Sequence, residues 1–293
     1  GWNWVVGGRS LGPLVDRDST PGRVRMSLGG VGRNIAHNLA LLGAEVHLLT
    51  AFGDDVQAQK VAASCGELGI DISHALQVPG GATSTYLYIA GPEGDMELAV
   101  ADMEIYDHVT PAFLRSRAAL LDNAQLVVVD TNIPEASIAW LAENCKVPLF
   151  ADPVSTAKAE KLRPVLGRLH TLKPNRMEAE LLSGAAITDI PSAKKAAQLL
   201  LDTGLRRVFI SMGGDGVLAA DHHQALHVPC IPAEMVNTTG CGDAFMAAIA
   251  WAYLEGTDLE GTARAGLAAS SIAMESPETI NPAMSVQAVR ERL

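Results

Sequence analysis

"QLVVVDTNIPEASIAWLAENCKVPLFADPV", residues 125–154, decides the fold. Its two ends are short runs of Val, Leu, Phe and Ala, each closing on an aspartate. Continuously apolar runs of this length predict strands covered on both faces. Between them, Pro134 opens a helical stretch, "PEASIAWLAENC". The rhythm repeats downstream. "LHTLKPN" (169–175) and "RRVFISMGG" (206–214) read as strands, and "TAKAEKLRPVLG", "RMEAELLSG" and "PSAKKAAQLLLDTG" read as helices. Pro191 sits near a helix start, and Gly167, Gly184 and Gly204 sit at helix ends. Strand–helix alternation predicts a Rossmann-like α/β domain of three layers, a parallel sheet with helices on both sides. The C-terminal part, "TDLEGTARAGLAASSIAMESPE" and "SVQAVRERL", reads as helical.

Two segments break the rhythm. "TSTYLYIAGPEGDMELAVADM" (83–103) is a pair of alternating strands around a Gly-Pro-Glu-Gly turn, hence a hairpin. "GRVRMSL" (22–28) alternates arginine with apolar residues, as a half-exposed strand does. Both are assigned to one small β-sheet emerging from the main domain, a lid, a dimer contact or both. The expected division is residues 1–10, 29–82 and 104–293 in the α/β domain, and 11–28 and 83–103 in the lid.

With 293 residues and 48% apolar content, the chain can bury a large core. A net charge of −11 argues against nucleic acid, because an acidic protein gains nothing from releasing phosphate counterions. A small polyanion can still bind at a local cradle of backbone amides. The four cysteines form no CxxC, which predicts reduced thiols in a cytoplasmic setting. No apolar run reaches the ~18 residues of a membrane span, and no signal peptide is visible.

"NTTGCGDAF" (237–245) runs straight into the apolar helical stretch "MAAIAWAYLEG". A helix start offers unpaired amides and a partial positive charge, and glycines let a ligand approach the backbone. Gly240, Cys241 and Gly242 therefore form a candidate anion hole. Asp243 beside it would repel an anion, unless it takes a proton from a hydroxyl that attacks phosphorus. An ordinary first-turn acid at a loop shaped by glycines fits the same residues. In "TLKPNRMEAE", Asn175 and Glu178 open a helix at the carboxyl end of a strand, where α/β sheets bind ligands. They suit Mg²⁺ held through water, and they equally suit a capping box. "SMGGDG" (211–216) offers Ser211, Gly213, Gly214 and Gly216 to a nucleotide phosphate or makes a tight strand-to-strand turn.

"SLGGVGRNIAHNLALLGA" (27–44) carries Gly30-x-Gly32, with Asp54 or Asp55 roughly where a dinucleotide-binding acid would fall. Ile35 occupies the third glycine position and the preceding strand is laced with arginine, so a nicotinamide site is disfavoured. The stretch instead presents its backbone and Asn34 to a polar ligand. No G-x-x-x-x-G-K-[ST] occurs, which excludes a P-loop kinase. His37, His74, His108, His170, His222 and His223 show no metal spacing. Asp130 and Asp152 end apolar strands, where an acid either lines a site or caps a loop.

Taken together, "SLGGVGRN", "LKPNRMEAE", "SMGGDG" and "NTTGCGDAF" stand in the order found in the ribokinase-like (PfkB) carbohydrate kinase family. The chain resembles that family over nearly its whole length, and Gly240-Cys241-Gly242-Asp243 matches its most specific element. "GGVGRNIAHNLALLG", "VADM", "DTNI", "DPVS" and "HTLKPNRMEAELLSG" are similar to the subgroup acting on pseudouridine. The resemblance implies a ribokinase-like fold with a β-sheet lid, ATP and Mg²⁺ as cofactors, room for a monovalent cation, and a homodimer formed through the lid. It implies phosphorylation of a nucleoside 5′-hydroxyl, with Asp243 as base and the amides of Gly240, Cys241 and Gly242 as anion hole. Asn175, Glu178, Ser211, Gly213, Gly214, Gly216 and Thr238 fall on the ATP side, with Glu178 reaching Mg²⁺ through water. Gly29, Gly30 and Asn34 fall to the ribose, and Thr83, Thr85 and Asn132 to the nucleoside pocket. One departure stands out. The family's first strand ends in Asn-x-Asp, whereas "GWNWVVGG" has Val5 where Asn3 would predict that Asp, and the resemblance leads to the expectation that the family's first strand is missing. A sugar kinase of the same chemistry and a non-catalytic nucleoside or sugar sensor are the competing readings.

Overall fold

The structure, a computed structural model, describes residues 3–93 and 95–293. In chain order the strands are β1 (Asn3–Ser10), β2 (Gly22–Gly29), β3 (Ala51–Phe52), β4 (Leu76–Gln77), β5 (Thr85–Ala90), β6 (Met96–Asp102), β7 (Val127–Asp130), β8 (Leu149–Asp152), β9 (Thr171–Leu172), β10 (Arg207–Ser211), β11 (Val217–Asp221) and β12 (Ala225–Val228). The α-helices are α1 (Val31–Leu41), α2 (Val56–Glu67), α3 (Pro111–Arg115), α4 (Ala118–Asn123), α5 (Glu135–Asn144), α6 (Thr156–Ala159), α7 (Arg176–Ser183), α8 (Ile190–Leu201), α9 (Cys241–Leu254), α10 (Leu259–Met274) and α11 (Val286–Arg290).

The main sheet runs β12-β11-β10-β9-β8-β7. Its β7–β10 portion is parallel, as the strand–helix alternation requires. The "SMGGDG" turn is a strand-to-strand connection, so β11 and β12 extend the sheet antiparallel. Alternate residues of each strand feed opposite layers. Phe150 of β8 and Phe209 of β10 pack with α1, α9 and α10. Their neighbours Leu149, Ala151, Val208 and Ile210 pack with α5, α7 and α8. That alternation is the three-layer architecture. From Ala244 to Ala252 every residue of α9 is buried, so this helix is apolar all round and lies inside the domain. The helix expected over "TAKAEKLRPVLG" makes a single α-turn and then continues as 3₁₀ over Glu160–Arg168, because Pro164 lacks an N–H donor.

The lid is a four-stranded sheet in the order β2-β1-β5-β6. The expected hairpin is β5–β6, and "GRVRMSL" is β2. Gly94 of the Gly-Pro-Glu-Gly turn, and Gly1 and Trp2, lie outside the described residues. The division of the chain needs one correction. Residues 3–10 do not join the α/β domain; they form the inner lid strand β1, antiparallel to β2 and parallel to β5. A pair of glycines permits this. A Cβ at Gly7 would lie 2.4 Å from the Tyr88 ring, and one at Gly29 would lie 2.7 Å from Val5. Among the described residues no helix is long and apolar enough to cross a membrane. All four cysteines are free thiols.

Candidate active site

The carboxyl ends of β7, β8 and β9 converge on the amino end of α9. Gly240 caps α9 with φ +85°, and a Cβ there would meet the Thr279 carbonyl oxygen at 2.2 Å. Only glycine fits both demands. No side chain caps the helix. The Cys241 amide donates to the Thr238 carbonyl at 3.3 Å. Among the described residues the amides of Gly240, Gly242 and Asp243 have no acceptor, so they are the donors open to an anion. Cys241 belongs to this turn through its backbone, but its own amide is partly engaged.

Asp243 stands in the first turn of α9, and its Oδ2 accepts from Asn34 Nδ2 at 2.7 Å. It is half-buried, with a partly open face. Burial pushes its pKa from the ordinary 3.8 up to about 7, with Asp152 and Asp130 adding to the rise and Asn34 and Lys173 opposing it. A carboxyl poised there can take a proton near neutral pH. Asn34 comes from the first turn of α1 and is 5% exposed. Its Oδ1 is buried with no partner, an acceptor waiting for a donor such as a ligand hydroxyl. Gly30, the N-cap of α1 at φ +96°, joins β2 to this helix, and Gly29 ends β2. The Gly32 amide donates to Asp130 at 2.8 Å, and Asp130 also accepts from the Asn132 amide at 2.9 Å.

Asn175 and Glu178 form the capping box of α7. Asn175 Oδ1 accepts from the Glu178 amide at 2.9 Å, and Glu178 Oε2 accepts from the Asn175 amide at 2.8 Å. Glu178 is 4% exposed, and burial raises its pKa, helped by Asp152. The other Glu178 oxygen makes no hydrogen bond among the described residues. Ser211 ends β10 and bridges to Asn175, which sets the "SMGGDG" turn beside α7. Gly213 and Gly216 take φ +60° and +86° there, and nothing lies within 4 Å of a Cβ on Gly214. Thr238 precedes the glycine turn.

The lid candidates divide. The Thr83 hydroxyl donates to Asp55 Oδ1 at 2.7 Å and accepts from the Gly53 amide at 3.1 Å, while the Thr83 amide donates to Asp55 Oδ2 at 2.7 Å. Thr83 is therefore a brace for the loop before α2. Asp55 caps α2 and is no ribose ligand. Thr85 bonds back to the Thr83 carbonyl at 3.2 Å. Asn132 Oδ1 accepts from Lys158 at 2.5 Å.

Two groups without an assigned role in the sequence enter here. Lys173, 7% exposed, pairs with Asp152 at 3.2 Å, and Asp152 in turn accepts from the Val154 amide at 2.8 Å. That bond helps hold Val154 at φ +64°, a costly conformation for a β-branched residue. Asp152 was legible as a strand-end acid, but the burial of Lys173 has no local signal. A cavity of ≈ 460 Å³ lies elsewhere, along β7 between α1 and residues 44–49. Apolar side chains line most of it, and it touches the site only at Gly32 and Asp130, so the chemistry belongs to the β7–β9 end.

The pfkB family carbohydrate kinase model matches residues 8–286. Pseudouridine kinase of Escherichia coli K12 is 39% identical over 97% of this chain and 91% of that protein. The E. coli protein described as uncharacterized sugar kinase YeiI is 35% identical over 91% of this chain and 74% of its own length. Among solved structures, a putative sugar kinase from Clostridium perfringens superposes with TM-score 0.88 at 32% identity, covering 99% of this chain and 92% of that one. Arabidopsis thaliana ribokinase, solved with ribose and ATP, superposes with TM-score 0.89 at 21% identity, over 99% and 95% of the two chains, a likeness of fold. The chain thus belongs to the pfkB family of carbohydrate kinases, with a ribokinase-like fold, and is a phosphotransferase acting on a hydroxyl group.

Proposed function

We propose that the chain phosphorylates the 5′-hydroxyl of pseudouridine with ATP. The observation that carries this reading is the Asp243 carboxylate, held by Asn34 at 2.7 Å beside the open amides of Gly240 and Gly242. Asp243 takes the hydroxyl proton as that oxygen bonds to the γ-phosphorus of ATP, and the bond from phosphorus to the ADP oxygen breaks. The amides at the head of α9 face the charge on the moving group. Asn34 Oδ1 accepts from a ribose hydroxyl, with the backbone of Gly29 and Gly30 alongside. Asn132 and the Tyr86–Tyr88 ring pair, 6.2 Å apart, border the base, whereas Thr85, next to Tyr86 on β5, faces the opposite side of the sheet with Leu87.

The ATP side is the edge formed by Asn175, Glu178, Ser211, Gly213, Gly214, Gly216 and Thr238. The donor set fits Mg²⁺: Glu178 has one oxygen outside its capping bonds, and hard carboxylate oxygens suit an ion that keeps most of its water. When bound, Mg²⁺ supplies charge neutralisation at the phosphates. No cluster of three ligating side chains exists among the described residues, so Glu178 would hold the ion together with water and phosphate oxygens.

The lid would join two copies into a homodimer. Strand register places Met26, Val6, Leu87 and Val100 in one row across four strands, and Val24, Gly8, Ile89 and Leu98 in the next. Met26, Val24, Leu98 and Val100 are each 58–64% exposed, a broad apolar face without cover.

A sugar acceptor is the second reading, favoured by the 35% relative described as a sugar kinase. ATP consumption with Mg²⁺ against pseudouridine, uridine, adenosine, ribose and fructose separates the two. Turnover confined to pseudouridine supports the nucleoside reading, and turnover on ribose or fructose replaces it.

A further inference from the structure

Lys173 follows β9 and carries a cation into the acidic floor of the site. Its ammonium lies 3.2 Å from Asp152 Oδ2 at the end of β8, and it donates to the Gly242 carbonyl at 3.3 Å in the first turn of α9. The backbone is anchored too, since the Lys173 amide donates to the Ala151 carbonyl at 3.2 Å. A Cβ added to Gly242 would sit 3.0 Å from Nζ, so the ammonium is packed against the turn that offers its amides to an anion. Asp152 is itself fixed on its other oxygen by the Val154 amide at 2.8 Å. Asp243 and Glu178 are the other charged groups facing the ammonium. Burial alone would favour a neutral amine, but Asp152 and Asp243 outweigh it and keep Lys173 charged.

A buried ion pair is a poor device for stability alone, because apolar side chains of similar volume pack at least as well. This one joins the ends of two strands to the head of the helix that bears Asp243. It also places one positive charge among Asp152, Asp243 and Glu178, three carboxyl groups that would repel a phosphoryl anion brought to the open amides of α9. We propose that Lys173 is a positioning residue: it clamps the first turn of α9 to the ends of β8 and β9, setting the open amides and Asp243 in place for transfer. The transfer step in this inference rests on the kinase reading above.

The test uses the full chain and two readouts. In Lys173→Met, hydrogen exchange at the Cys241 and Ala244 amides, which donate to the Thr238 and Gly240 carbonyls, should rise by at least ~10-fold while α8 is unchanged. Turnover should fall by ~10²-fold, the cost of a small misplacement, with KM for pseudouridine changed little. Lys173→Arg should restore part of kcat. Asp152→Asn, which leaves the ammonium in place, carries the same pattern in weaker form if Lys173→Met does not fold. Unchanged exchange in folded variants overturns the clamp, whatever the activity. Faster exchange with wild-type kcat overturns the positioning role. A wild-type protein inactive on the whole acceptor panel, with exchange still responding, sinks the kinase reading and leaves the clamp standing.

Discussion

Replacing Asp243 by Asn removes the proposed base and also a partly buried ionisable group, so the reading can be tested on activity and stability together. The carboxyl titrates at about 7 in the folded protein against an ordinary 3.8. At ~1.4 kcal/mol per pH unit this displacement is worth ~4 kcal/mol. Its partly open face is screened by solvent, which brings the usable figure to ~2 kcal/mol. The sign follows from proton binding. The folded state holds this proton more tightly, so its contribution to stability is complete below pH 3.8 and is lost as pH rises through about 7. Asn never ionises and escapes that loss. The melting temperature of Asp243→Asn should therefore gain on wild type between pH 4 and pH 7 by ~4 °C, then run parallel above pH 8. Turnover should fall by at least ~10²-fold with KM nearly unchanged. In the wild type, kcat/KM should climb to a plateau above about pH 7. Scanning calorimetry across pH, with steady-state kinetics on the same samples, measures all three. A melting difference that is flat with pH would show the carboxyl to be ordinary, and retained turnover would reduce Asp243 to a helix cap.

Val5→Asp should lower KM for the acceptor and leave kcat within a few-fold, since an aspartate follows Asn-x in the family pattern; a raised KM refutes that placement. Thr83→Val should cost ~1–3 kcal/mol of stability by stripping Asp55 and the Gly53 amide of partners, with KM unaltered. A KM effect without loss of stability would return Thr83 to the substrate pocket. Val100→Glu should convert a dimer to monomers in sedimentation equilibrium, because the residue is 58% exposed at the β6 end of the apolar lid row. Dimers that persist in the variant place the contact elsewhere.

The parallel sheet was readable because each strand is covered on both faces, and coverage on both faces leaves continuous apolar runs such as "VVVD" and "LFAD". The glycine turn before α9 was readable because its job is local, a backbone at φ +85° followed by free amides. What escaped depends on pairing across the chain. Residues 3–10 join the lid because Gly7 admits Tyr88 and Gly29 admits Val5, and neither partner is near in sequence. Lys173 looks like any strand-end lysine until Asp152 and Gly242 close around it. Thr83 and Asn175 show the opposite case. Their residue types suit a ligand, and the structure gives them a bracing bond and a helix cap.

Helix α9 is locked on every side, whereas β2 and β6 are open along most of their length. Fewer buried contacts hold the outer sheet than hold the core, so of the two the sheet is the easier to displace. The joint between them is short. β2 ends at Gly29, Gly30 turns at φ +96°, and four residues later Asn34 grips the Asp243 carboxylate. A tilt of the sheet is delivered to that grip within a single helical turn. If an acceptor bound beneath the sheet and drew it inward, that movement would reach the Asn34–Asp243 bond directly, so acceptor binding and the setting of this carboxylate would be coupled.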